Sequence, residues 1–168
     1  QAGGLQRDLL VTIFDAEEPP YFQDVSMGSN RFYEDQLDGR GVQAAVVFDL
    51  VGHDLSLPVG LLSSQGMTEG TDAFLADIAG LLFMTGTESH PDLAGIVEGS
   101  EVPDGLGLAA TLNDYVGDMS DHGVFRRNGV PYLFFSCGRW AHYHMPTDTP
   151  DRLNYQKMAR ITKLVATL

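Results

Sequence analysis

Five short runs of this chain are continuously apolar where a half-exposed sheet would alternate. They are "LLVTIFD" (9–15), "VQAAVVFDL" (42–50), "GLLFMTGT" (80–87), "GLGLAATL" (105–112) and "VPYLFFSC" (130–137). Each is bounded by turn residues and is short enough for a strand. Unbroken apolarity implies burial on both faces, the condition of a parallel or mixed sheet covered by helices. Helical stretches lie between and after the runs: "SNRFYEDQL" following Gly28, "PDLAGIVEG" with Pro91 in a first turn, "SDHGVFRRNG" ending at Gly129, and "NYQKMARITKLVATL". Alternating strand and helix predicts an α/β fold. The expected form is a three-layer sandwich, a mostly parallel mixed sheet with helices on both faces. The 168 residues suffice for one core. No repeat, low-complexity tract or linker divides them, so residues 1–168 read as a single domain.

The net charge of −13, with ten Lys and Arg, excludes a nucleic-acid surface, which rests on basic groups. It suits a solubilising acidic surface and equally carboxylates gathered around cations. No run approaches the roughly 20 apolar residues of a membrane-spanning helix. The lone cysteine, Cys137, excludes an internal disulfide and, inside an apolar run, reads as core packing.

In open α/β sheets ligands bind beyond the carboxyl ends of the strands. The run 9–15 leads into Asp15, Glu17, Glu18 and the pair Pro19–Pro20. The second run carries Asp49, a carboxylate that burial would make costly unless paired or metal-bound. Asp49 either serves a site or caps a turn at Val51–Gly52. His90, in H-x-D spacing with Asp92, reads as a helix start, with Ser89 or Asp92 serving the first turn. His53, past a strand end, reads as a rim residue. His142 and His144 lie in "RWAHYHMPTDTPDRLN", where an extended segment would put them on one side and leave Asp148 near enough to orient an imidazole. Carboxylates and imidazole at the ends of three runs suit zinc, which polarises a carbonyl and activates water.

The blocks "DAEEPPYF…MGS", "VVFDLVG", "SDHGVFRRNGVPYLFFS" and "YHMPTDTPDRLNY", in that order over nearly the whole chain, resemble the zinc-dependent aminopeptidases of clan MH. Bacterial leucyl aminopeptidases, glutamate carboxypeptidases and glutaminyl cyclases share this pattern. The resemblance implies a zinc-exopeptidase fold, a peptide substrate, and two zinc ions in the full-length protein. It implies Glu17 as the general base that takes a proton from the attacking water and passes it to the leaving amine. Glu18 and His144 would share one zinc and Asp49 would bind the other. Tyr143 matches a residue that in some members hydrogen-bonds the developing oxyanion. Asp121 and His122 fall near the substrate pocket of relatives, and Asp148 follows the ligand His as a supporting group. Many relatives are exported, which makes a secreted or periplasmic location the implied one.

The family also places an H-x-D block, a His and a bridging Asp, ahead of the acidic pair. Only sixteen residues precede Glu17 here, and none is His. The chain is therefore expected to be the carboxyl-terminal part of a catalytic domain, incomplete as an isolated metal centre. Two alternatives use the same fold: a glutaminyl-cyclase-like acyltransferase, and a non-catalytic domain kept for partner binding.

Overall fold

A computed structural model describes residues 8–37, 40–55 and 71–168 of the chain. The chain divides into two compact units, Gln1–Gly41 and Val42–Leu168.

In the first unit, residues 8–17 form neither helix nor strand, and turns over 18–27 lead into helix α1 (Gly28–Gln36). The turns are closed by successive backbone bonds: Tyr21 N–H to Glu18 O, Asp24 N–H to Tyr21 O, and Met27 N–H to Asp24 O. The start of α1 lies against Asp15, whose carbonyl accepts from Gly28 N–H at 2.9 Å. A Cβ at position 28 would stand 2.6 Å from that carbonyl oxygen. Only glycine permits the approach, which gives "MGS" its physical meaning. Phe14 packs on Phe32, ring centroids 5.4 Å apart. The expectation of a buried strand over 9–15 fails among the described residues: Leu9, Val11 and Ile13 are 74%, 80% and 99% exposed. Apolar character favours burial, but a strand also needs a neighbour's hydrogen-bond ladder, and none is paired with this segment.

Among the described residues the second unit holds four strands: β1 (Ala45–Phe48), β2 (Leu81–Thr85), β3 (Gly107–Ala110) and β4 (Tyr132–Ser136). All four fall inside the apolar runs named above. Their order is β1-β4-β2-β3. β1 is parallel to β4 and β2 is parallel to β3, while β2 and β4 are antiparallel. The carboxyl ends of β1 and β4 therefore share one edge of the sheet. Between and after the strands come helices α2 (Thr71–Ala79), α3 (Leu93–Glu98), α4 (Asn113–Val116), α5 (His122–Arg127) and α6 (Tyr155–Val165).

The alternation of side chains along β4 builds the two faces. Leu133, Phe135 and Cys137 join Leu82 and Met84 of β2, Leu93 of α3, and Ile161 and Leu164 of α6 in one buried cluster. Tyr132 and Phe134 point the other way, and both rings stack on His122 of α5. Helices thus cover both faces of a mixed sheet, the expected α/β sandwich. Cys137 is fully buried, as its setting implied.

Two helix starts differ in detail. α3 begins at Leu93, and neither Ser89 nor Asp92 caps it through a side chain. Ser89 Oγ instead donates to Gly86 O, and the exposed His90 ring accepts the Asp92 N–H. α2 was not anticipated from the sequence. Asn154 caps α6, its Oδ1 accepting from Lys157 N–H at 2.9 Å. Among the described residues, no helix is long and apolar enough to cross a membrane.

Candidate active site

The acidic pair belongs to the first unit. Ala16, immediately before it, has φ +55, in the left-handed region. Glu17 is half-buried and Glu18 exposed, and the Pro19–Pro20 peptide that follows is cis.

The other candidates lie in the second unit. Asp49 follows β1 directly and is half-buried. Its N–H donates to Phe135 O at 3.1 Å, prolonging the β1–β4 ladder, and Cys137 N–H then donates to Leu50 O. Leu50 takes φ +53. The backbone thus bends just as the carboxylate leaves the sheet.

The segment after β4 leaves from the same edge. It forms a series of turns rather than an extended strand, with Tyr143 N–H bonded to Trp140 O and Met145 N–H to His142 O. His144 itself has φ +57. This overturns the expectation that His142 and His144 share one side of an extended segment. His144 is exposed, and its ring stacks on Tyr143 with centroids 3.8 Å apart. Arg139 stands over the other partner's ring, 5.2 Å from the Tyr143 centroid. His142 packs edge-on against Trp140 and hydrogen-bonds Thr147 Oγ1 at 2.8 Å. Asp148 is exposed, and its charge acts on His53.

Asp121 precedes α5 and is half-buried; His122 is fully buried. His122 Nε2 lies 3.1 Å from both Asn113 Oδ1 and Gly117 O, so that nitrogen carries the proton. Burial pushes its pKa below the usual histidine value, while the nearby Asp118 and Asp49 charges pull it back up. The resemblance made His122 a pocket residue or a supporting group behind it; in the structure it is the buried tie from α5 to α4 and the loop that follows α4. Asp118 in that loop accepts from Arg126 at 2.6 and 2.8 Å, which holds its carboxyl below the usual range.

His53 is the residue sequence reasoning misplaced. It was expected on a rim, yet it is 3% exposed and stacks on Trp140 at 5.0 Å. Burial lowers its pKa, and the charge of Lys157 lowers it further. The only sequence signal was its place just past a strand end, beside Gly52. Among the described residues, neither unit by itself gathers three His, Cys, Asp or Glu side chains tightly enough to hold one metal ion.

The donors nonetheless have the chemistry of a zinc set, carboxylate oxygens and one exposed imidazole. The left-handed backbone is concentrated at them. Among the described residues, the non-glycine positions with positive φ are Ala16, Gln23, Leu50 and His144. Three of these four adjoin or are the candidates, and conformations of this kind persist where surrounding structure fixes them, often at functional sites.

The model of peptidase family M28 matches residues 1–168. The chain is also similar to the uncharacterised protein YfbL of Escherichia coli strain K12, at 28% identity over 167 residues, covering 92% of this chain and 49% of that protein. It thus spans about half the length of this curated relative. No solved structure gives a significant match.

Proposed function

From the premise that the chain belongs to peptidase family M28, we propose that it is the part of a zinc-dependent aminopeptidase that carries the general base and three metal ligands. The observation that carries this is the left-handed backbone at Ala16, Leu50 and His144, next to or at the acidic pair, Asp49 and the ligand histidine. Members of the family are typically zinc-dependent hydrolases. Zinc, when bound, polarises the scissile carbonyl and makes water acidic enough to attack near neutral pH.

As the family resemblance implies, Glu18 and His144 would supply a carboxylate oxygen and an imidazole nitrogen to one ion, and Asp49 would supply an oxygen to the other. Glu17, the residue before Glu18, would remain a base. It accepts a proton from the attacking water and returns it to the leaving amine. Tyr143, its ring against His144, offers a phenolic O–H to the oxyanion that develops on the carbonyl. Asp121, by the same resemblance, would line the substrate pocket or support it from behind.

The full-length protein is expected to bind zinc and to hydrolyse an aminoacyl anilide, losing activity to chelator and regaining it with zinc. Glu17→Gln should leave zinc content nearly unchanged and lower kcat by roughly 10²–10⁴-fold, the usual worth of a general base. Glu18→Gln should lower zinc occupancy. Equal zinc loss in both variants would refute the division of roles. A full-length protein that is inert toward anilides but releases ammonia from N-terminal glutaminyl peptides would be a cyclase.

A further inference from the structure

We propose that His53 is a positioning residue that fixes the loop bearing Tyr143 and His144 to the end of β1; its catalytic importance rests on the metallopeptidase reading above. The β1–β4 ladder continues beyond the strands through Asp49 N–H to Phe135 O and Cys137 N–H to Leu50 O. The His53 ring lies at the next step of this ladder, beside the Cys137 backbone, which favours its protonated form. Its Nε2 is buried and has no hydrogen-bond partner.

The face of the same ring lies on Trp140, at 5.0 Å and 17° between planes. Trp140 in turn meets His142 at 4.7 Å. His142 is held from its other side by Thr147 Oγ1 at 2.8 Å and Arg152 at 3.4 Å. The imidazole therefore holds the first half of the loop through its face on Trp140.

The residues flanking His53, and its own backbone, hold the far end. Asn154 N–H donates to Gly52 O at 2.6 Å, Asn154 Nδ2 to Asp54 Oδ1 at 2.8 Å, and Lys157 Nζ to His53 O at 2.9 Å. Residues 52–54 thus anchor both ends of the segment from Gly138 to Asn154. That same short stretch begins three residues after Asp49. One platform sets the position of the Asp49 backbone and of the His144 loop. A purely space-filling ring would be better served by phenylalanine, which would bury no unpartnered nitrogen.

The test uses the full-length protein. Hydrogen exchange is read at the Tyr143 and Met145 amides and, as an internal reference, at Leu133 and Phe135 in β4. His53→Ala should speed exchange at Tyr143 and Met145 while leaving the β4 amides near wild type. It should also weaken zinc binding by about 10–100-fold, as losing a group that orients a metal ligand does. His53→Phe keeps the ring on Trp140 and is the variant to use if the alanine protein does not fold. It removes the ring nitrogens, and with them the polar contact with the Cys137 backbone, and should raise Tyr143 and Met145 exchange by roughly 2–10-fold, the range of one polar contact. Unchanged protection at those two amides, or equal loss at them and in β4, would overturn the positioning role. Selective loss of protection with wild-type zinc affinity would overturn its link to the metal. If the wild-type protein took up no zinc at all, the peptidase reading would fail, and the exchange result would still decide whether His53 holds the loop.

Discussion

Replacing Lys157 with methionine tests how the second unit is tied together. Lys157 is 1% exposed, and its ammonium donates to Ala79 O at 2.7 Å and to His53 O at 2.9 Å. Ala79 is the last residue of α2, so the cation sits where the helix dipole is negative. The other carbonyl belongs to the platform beneath the His144 loop. Hydrogen bonds from a charged donor are each worth about 1.5–3 kcal/mol after exchange with water, giving roughly 3–6 kcal/mol for two. Methionine keeps most of the stem and regains about 1 kcal/mol by burying a little more apolar surface. The net loss is about 2–5 kcal/mol, or a fall in Tm of roughly 4–20 °C for a domain of this size. Urea unfolding of the full-length protein should show a lower midpoint at an unchanged slope. Lys157→Ala should cost more, because it also removes the packed stem. A methionine variant as stable as wild type would refute the reasoning. It would mean that the buried ammonium is a net burden, as buried ions can be.

Two further outcomes follow from the same unit. His53 and His122 are buried and held below the ordinary histidine value of 6.5, so the unfolded chain binds more protons than the folded one just below that pH. Their contribution is complete above about pH 6.5 and is lost as pH falls toward their folded values, with a limiting slope of about 2.7 kcal/mol per pH unit for the pair. Urea midpoints that stay level between pH 7.5 and 5.5 would contradict this. Gly52→Ala places a Cβ 2.8 Å from Met158 Cγ and Sδ at a residue with φ +103, and should cost about 1–3 kcal/mol. Unchanged thermal stability would show that the platform can shift.

Which parts of this fold could be read from sequence depends on what each signal reports. Unbroken apolarity located β1 to β4 because all four sit in a sheet with helices on both faces. The same signal misled at 9–15, since it reports a tendency to be buried and says nothing about which strand supplies the ladder. α2 was overlooked because its apolar residues run directly into those of β2, so no polar break marks the helix end. The candidate residues stood out because carboxylates and histidines are conspicuous against apolar runs. Their backbone was not legible: nothing in "YHMP" announces φ +57 at His144. His53 was hidden for a related reason. It is buried by contacts with Cys137, Trp140 and Lys157, all distant in sequence, so its neighbours in the chain suggest exposure.

The sheet order also constrains how the chain can fold as it emerges during synthesis. β2 and β3 are close in sequence and can pair early. β1 is made before either, yet its partner is β4, and Ala45 must wait for Tyr132. Pairing across such a separation closes a long loop and is intrinsically slow. Until then β1 has an open edge, and Val46 and Phe48, still 40% and 42% exposed after folding, are uncovered. A ribosome stalled before β4 would therefore hold a sticky strand with no mate, a natural target for a chaperone that binds extended apolar segments.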